Sequence, residues 1–138
     1  MKVTWSYDRA DHRDSHEVEV SDPVALETLL RRVHEKQEPV VVTIYDVPDD
    51  EDDLPTGLQV GLGHPTHAFV VHIADDGGYL IYPDVPAPSE GIAFDVGGVR
   101  TEYPAEHLRV QPDFALRAAA TFLRTGKPPT PPERTAGL

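Results

Sequence analysis

The chain contains no cysteine. Disulfides, a thiolate nucleophile and cysteine-ligated zinc are therefore excluded, and a reducing cytoplasmic setting is the simplest expectation. Long apolar runs are missing as well. No stretch approaches the roughly 20 residues of a membrane span, and the opening MKVTWSYDRADH lacks the apolar segment of a secretory signal. Positive charge is the third shortage: 12 Lys and Arg stand against 24 Asp and Glu, for a net charge of −12. A field of that sign repels phosphate backbones and attracts basic surfaces. Direct nucleic-acid binding and a membrane role are not expected, and a basic protein partner is favoured. The same acidity also serves solubility, whatever the partner.

What is present reads as a globular chain of 138 residues with 39% apolar and 26% charged content, long enough to bury roughly two thirds of its unfolded surface. Val3, Trp5 and Tyr7 alternate with polar residues as in a half-buried strand. A polar turn over Asp8 to Ser15 leads to a second short strand around Glu17 to Val20. Asp22-Pro23 announces a helix, with an N-cap followed by proline at the first helical position. Leu26, Leu29, Leu30 and Val33 then mark its buried face as far as about Gln37. Val40 to Tyr45 is apolar or β-branched almost throughout, which predicts a strand covered on both faces, or on one face with a well-shielded second. Asp46 to Thr56, DVPDDEDDLPT, reads as an irregular acidic loop.

Leu58, Val60 and Leu62 predict a further strand. His67 to Ile73, a turn at Asp75 to Gly78, and Tyr79 to Tyr82 predict a hairpin, followed by a proline-bearing loop over 83–91. Ile92, Phe94 and Val96 alternate, as do Val99, Thr101 and Tyr103 beyond Gly97-Gly98. Period-2 patterning broken by two glycines predicts a hairpin with a tight primed turn. Phe114 to Thr125 predicts a helix whose buried stripe is Phe114, Ala118 and Phe122, with Gly126 as its left-handed C-cap and Pro128-Pro129 preventing continuation. Strands outnumber helices without βαβ alternation, so the expected fold class is α+β: an antiparallel β-sheet with two helices packed on one face.

Chemistry-bearing constellations are weak. His64, His67 and His72, or His12 with His16, suggest metal ligation, yet neither set lies on a predicted helix where two imidazoles would converge on one ion. The acidic run lacks the glycine and terminal glutamate of an EF-hand, whose sixth and twelfth positions, counted from Asp49, hold Leu54 and Val60. VGLG and DVGG lack the spacing of a phosphate loop. Ser6, Ser15, Ser21 and Ser89 lack a nucleophile-elbow context. No catalytic residue, cofactor or metal ligand is assigned, and an enzyme is not expected. From the residues alone the reading stops at an acidic binding module, and an adaptor or regulatory role with some basic partner stays open. A small enzyme using His64, His67 or the acidic loop is the remaining alternative.

Four short motifs carry a resemblance: VGLG (Val60 to Gly63), DDGGY (Asp75 to Tyr79), GGVRTEYPA (Gly97 to Ala105) and FLRTGKPPT (Phe122 to Thr130). In this order they resemble the first immunity-protein family of bacterial polymorphic toxin systems, over about Leu58 to Thr130. The chain departs from the family pattern at its end, which reads PPERTAGL where members often carry a tryptophan-bearing extended segment. The resemblance implies a single immunity-protein-like domain over 1–130, and the proline-rich composition beyond it predicts a disordered tail over 131–138. It also implies an antitoxin that binds and neutralises a cognate secreted toxin, frequently a nucleic-acid base deaminase. The acidic loop (Asp46, Asp49, Asp50, Glu51, Asp52 and Asp53), with Tyr79 and Tyr82, is the expected toxin-binding surface, placed to occlude a basic substrate groove or active site.

Overall fold

A computed structural model describes residues 1–46, 57–73 and 85–127. Among them are seven strands and two α-helices: β1 (Lys2–Asp8), β2 (Arg13–Glu19), α1 (Pro23–Glu35), β3 (Val40–Tyr45), β4 (Gly57–Leu62), β5 (Phe69–Ile73), β6 (Ile92–Val96), β7 (Val99–Tyr103) and α2 (Pro112–Thr125). The strands form one sheet in the order β2-β1-β3-β4-β5, with β6 joined to β3 and β7 to β6. Its ladders are antiparallel except for one parallel bridge, Val40 to Asp95. The expected α+β class holds.

The two helices form as their punctuation dictates. Asp22 caps α1 by accepting the Val24 N–H at 3.2 Å, and Pro23 occupies the first turn. Leu26, Leu30 and Val33 are buried on one face, whereas Leu29, at the margin of the stripe, is only half-buried. The helix ends before Gln37, whose φ of 59° is left-handed. In α2, Pro112 and Asp113 fill the first turn, and Gly126, at φ 69°, donates its N–H to the Phe122 carbonyl at 2.7 Å. Phe114, Ala115, Ala118, Ala119 and Phe122 are buried with the α1 stripe against Val3, Val40, Val42, Ile44, Leu58, Val60 and Val70. Both helices thus share one face of the sheet.

Strand parity puts Val41 on the opposite face. There it packs with Phe69, Phe94 and Leu108, and Val71, Ile92, Val96 and Tyr103 lie at the edge of this second cluster. The β3 run is therefore covered on both sides at Val41, whereas Thr43 and Tyr45 on that second face are half-buried. Gly61 lies directly beneath the Phe69 ring, and a Cβ there would collide with that ring. Tyr103 stacks on the same ring with centroids 4.6 Å apart.

Three local readings need correction. β2 begins at Arg13, inside the stretch expected to be a turn; it is an exposed sheet-edge strand with no apolar alternation to reveal it. Asp95, on the expected wet side of β6, is only 4% exposed, because β6 lies between β3 and β7; Arg100 stands 3.4 Å from its carboxylate. The expected inward face of β7 is largely absent: Val99 is 58% exposed, and only Tyr103 turns inward. The paired residues Val96 and Val99 close the primed turn, with φ of 57° at Gly97 and 84° at Gly98. Gly98→Val is expected to cost about 1–3 kcal/mol, since a β-branched residue is strained at that φ. Urea denaturation would register the loss as a lowered midpoint.

Candidate functional site

The expected toxin-binding residues divide sharply. Asp46 is exposed immediately after β3. Asp49, Asp50, Glu51, Asp52, Asp53, Tyr79 and Tyr82 lie outside the described residues, as does the expected strand over Tyr79 to Tyr82. The structure does place the roots of the two connections that carry them. Lys2 pairs with Tyr45, Tyr45 with Gly57, and Gly57 with Ile73, so the three cross-strand pairs form a single row at one end of the sheet. The connection 47–56 springs from Tyr45 and Gly57, and the connection 74–84 leaves from Ile73 beside them.

Next to this row, the sheet face turned away from the helices carries Thr4, Thr43, Tyr45, Gln59, Val71 and Ile73, all half-buried. Such a mixture of β-branched, aromatic and hydrogen-bonding groups resembles the surface of protein interfaces more than a reaction centre. Gln59 donates from Nε2 to the Thr43 hydroxyl at 3.4 Å. The neighbouring charges are largely compensated: Lys2 pairs with Glu17 at 3.3 Å, and the N-terminal ammonium with Glu19 at 3.1 Å. The Glu17 hydrogen bond and charge push the Lys2 ammonium further up.

A second charged group surrounds Tyr7. The Arg9 guanidinium lies 4.7 Å from the Tyr7 ring centroid and pairs with Glu38 at 2.8 Å and Asp14 at 3.4 Å. His16 stacks on Trp5 with centroids 5.0 Å apart. Burial, followed by the Glu38 charge, pushes the Tyr7 phenol up to about 12. Tyr7 therefore keeps its proton at neutral pH, which suits a packed core residue and not a general base.

At the opposite end of the sheet a cleft of about 560 Å³ is lined by His34, Pro65, Thr66, His67, Pro86 and Asp113, among others. His34 comes from α1, His67 from the β4–β5 connection and Asp113 from the first turn of α2. His64, beside His67 with ring centroids 5.8 Å apart, completes a trio of imidazoles. His34 lies 29 residues from Gly63, to which it bonds, so no local spacing announces this convergence. His72 is elsewhere, against Phe122 on the helix face. Among the described residues no group of three or more His, Asp or Glu could hold a metal ion. Nor is a helix among them long and apolar enough to cross a membrane.

An exposed acidic root, Asp46, thus stands beside a mixed, half-buried sheet face. A family model for immunity protein Imm1 matches residues 14–135. The chain belongs to the Imm1 family. No curated protein and no solved structure matches it.

Imm1 membership assigns an antitoxin-type immunity function and a cognate toxin as partner. It also changes how the Imm1-like motifs are read, because in this structure those described serve the fold. In VGLG, Gly61 makes room for Phe69, while Gly63 adopts φ 99° against the Glu38–Pro39 backbone. In GGVRTEYPA, the glycines turn the hairpin and Tyr103 stacks on Phe69. In FLRTG, Phe122 is core and Gly126 caps α2. DDGGY lies outside the described residues.

Proposed function

We propose that this Imm1 protein neutralises a toxin that deaminates nucleic-acid bases, by binding it stoichiometrically and occluding its substrate groove or active site. Asp46, Asp49, Asp50, Glu51, Asp52 and Asp53 supply the negative arm, with Tyr79 and Tyr82 as flanking contacts. The observation that carries the reading is the row Lys2, Tyr45, Gly57 and Ile73, which sets both roots of connection 47–56 and the leaving root of connection 74–84 at one end of the sheet, the latter returning at Val85 beside the cleft at the other end. A deaminase acting on nucleic acid presents a positively charged path for the phosphates and a pocket for the extruded base. A partner of net charge −12 is drawn to that path, and a dense carboxylate run can occupy it in place of phosphate.

The test is co-expression with the toxin encoded beside this gene. Growth arrest by the toxin alone and restored growth with this protein are expected, together with disappearance of deaminated bases from cellular nucleic acid. Rescue without any deaminated base in the unprotected cells would keep the immunity function and discard the deaminase.

A further inference from the structure

Two histidines beside the cleft, His34 and His64, hold the β4–β5 connection by acceptor contacts that only neutral imidazoles can make. His34 Nδ1 accepts the Gly63 N–H at 3.0 Å, tying α1 to the end of β4. His64 Nδ1 accepts the N–H groups of Thr66 at 3.3 Å and His67 at 3.2 Å, closing the turn on itself. His67 stands 3.1 Å from the Pro86 carbonyl through Nε2 and 2.9 Å from the Thr66 hydroxyl through Nδ1. A carbonyl only accepts, so His67 Nε2 carries a proton. Its hydroxyl partner can reverse direction, so His67 keeps both contacts in either charge state. His34 and His64 cannot. Protonating either Nδ1 sets a donor against backbone N–H groups that have no acceptor role.

We propose that His34 and His64 form a proton-operated latch. Neutral, they hold residues 63–67 against α1 and shape the cleft; protonated, they release that connection and open the cleft. The proposal is independent of which toxin the protein binds, because the latch lies at the end of β4 remote from Gly57.

The surrounding charges fit this assignment. His34 faces Asp113 of α2 and Glu35 of its own helix, which favour its protonation, and Arg31, which opposes it. His64 faces His67 and His34. Burial dominates at both sites, followed at His64 by the neighbouring imidazoles, and holds both pKa values below the ordinary histidine value. The closed loop therefore disfavours protons that the open loop accepts. Stability from the latch is full above the open-loop value of about 6.5 and is lost as pH falls through the depressed closed-loop values.

Hydrogen exchange followed by NMR from about pH 8 to about pH 5 reads the latch residue by residue. Protection factors, with intrinsic exchange divided out, are expected to fall for the Gly63, Thr66 and His67 amides. The slope should reach roughly tenfold per pH unit for each proton taken up, while amides of β1 and β3 stay protected. In the double variant His34→Asn, His64→Asn, the amide oxygen replaces Nδ1 as an acceptor that does not titrate, and the fall should vanish. Flat wild-type protection would overturn the proposal, and so would an equal fall in the double variant. If that variant does not fold, the wild-type ring ¹⁵N shifts decide: His34 and His64 must gain Nδ1 protons together with loss of loop protection. Titration of both rings with the loop amides unmoved would overturn it equally.

Discussion

Phe122→Ala is expected to lower the free energy of unfolding by about 3–5 kcal/mol. Phe122 is only 1% exposed and lies in the last turns of α2, where it packs in the main core beside the His72 ring, with centroids 6.1 Å apart. Its carbonyl accepts the Gly126 N–H, so backbone and side chain both anchor the end of the helix. Truncation removes most of an aromatic side chain from a layer bounded by β4, β5 and the two helices. The cost exceeds a simple transfer energy because strands on one side and a capped helix on the other limit collapse into the cavity. Denaturant titration should show a lower midpoint with an unchanged slope, as for a cavity in an intact fold. An unchanged midpoint would mean that α2 does not pack on the sheet through this residue.

Replacing Asp49, Asp50, Asp52 and Asp53 with Asn is expected to slow association with the cognate toxin by about tenfold or more at low salt. The change removes four of 24 acidic residues from the segment most concentrated in them. Charges on an interface rim act mainly on the encounter rate and its ionic-strength dependence. Adjacent like charges are costly to desolvate together, so most of these acids belong to that class. One or two that pair directly with a toxin Arg or Lys would add a faster dissociation, with about 2–5 kcal/mol lost for each. Stopped-flow binding at two salt concentrations separates these contributions. The thermal midpoint should not fall, because thinning a run of adjacent like charges relieves repulsion. Unchanged association at low salt would move the interface away from this connection.

The sequence made the fold readable wherever one chemical demand acted alone. Asp22-Pro23 and Gly126 bounded helices because caps and a left-handed turn depend on local geometry. Gly97-Gly98 marked a primed turn for the same reason. Val40 to Tyr45 announced a shielded central strand through composition. Reading failed where exposure or topology decided. β2 has no apolar period because it is a wet edge, so only its end near Glu17 was legible and its start at Arg13 shows through the pairing with β1. Asp95 is buried by strand order, not by its own alternation, and β7 displays period-2 chemistry with almost nothing packed on it.

The functional surface was less legible than the family. The described motifs that carry the resemblance are glycines, an aromatic and a helix stop that build the scaffold, so they identify the lineage without pointing to the interface. The acidic run was conspicuous as composition, but only strand register brings its roots beside Ile73. His64 and His67 stood out by their spacing, but the addition of His34 was not legible because it comes from a helix distant in the chain.

The most direct test of toxin neutralisation is a titration with purified components. The proposed deaminase activity of the cognate toxin is measured on a nucleic-acid substrate as this protein is added. The rate is expected to fall linearly and reach background at one molar equivalent, with the toxin and this protein co-eluting as a complex. A full deamination rate in the presence of excess folded protein would contradict it.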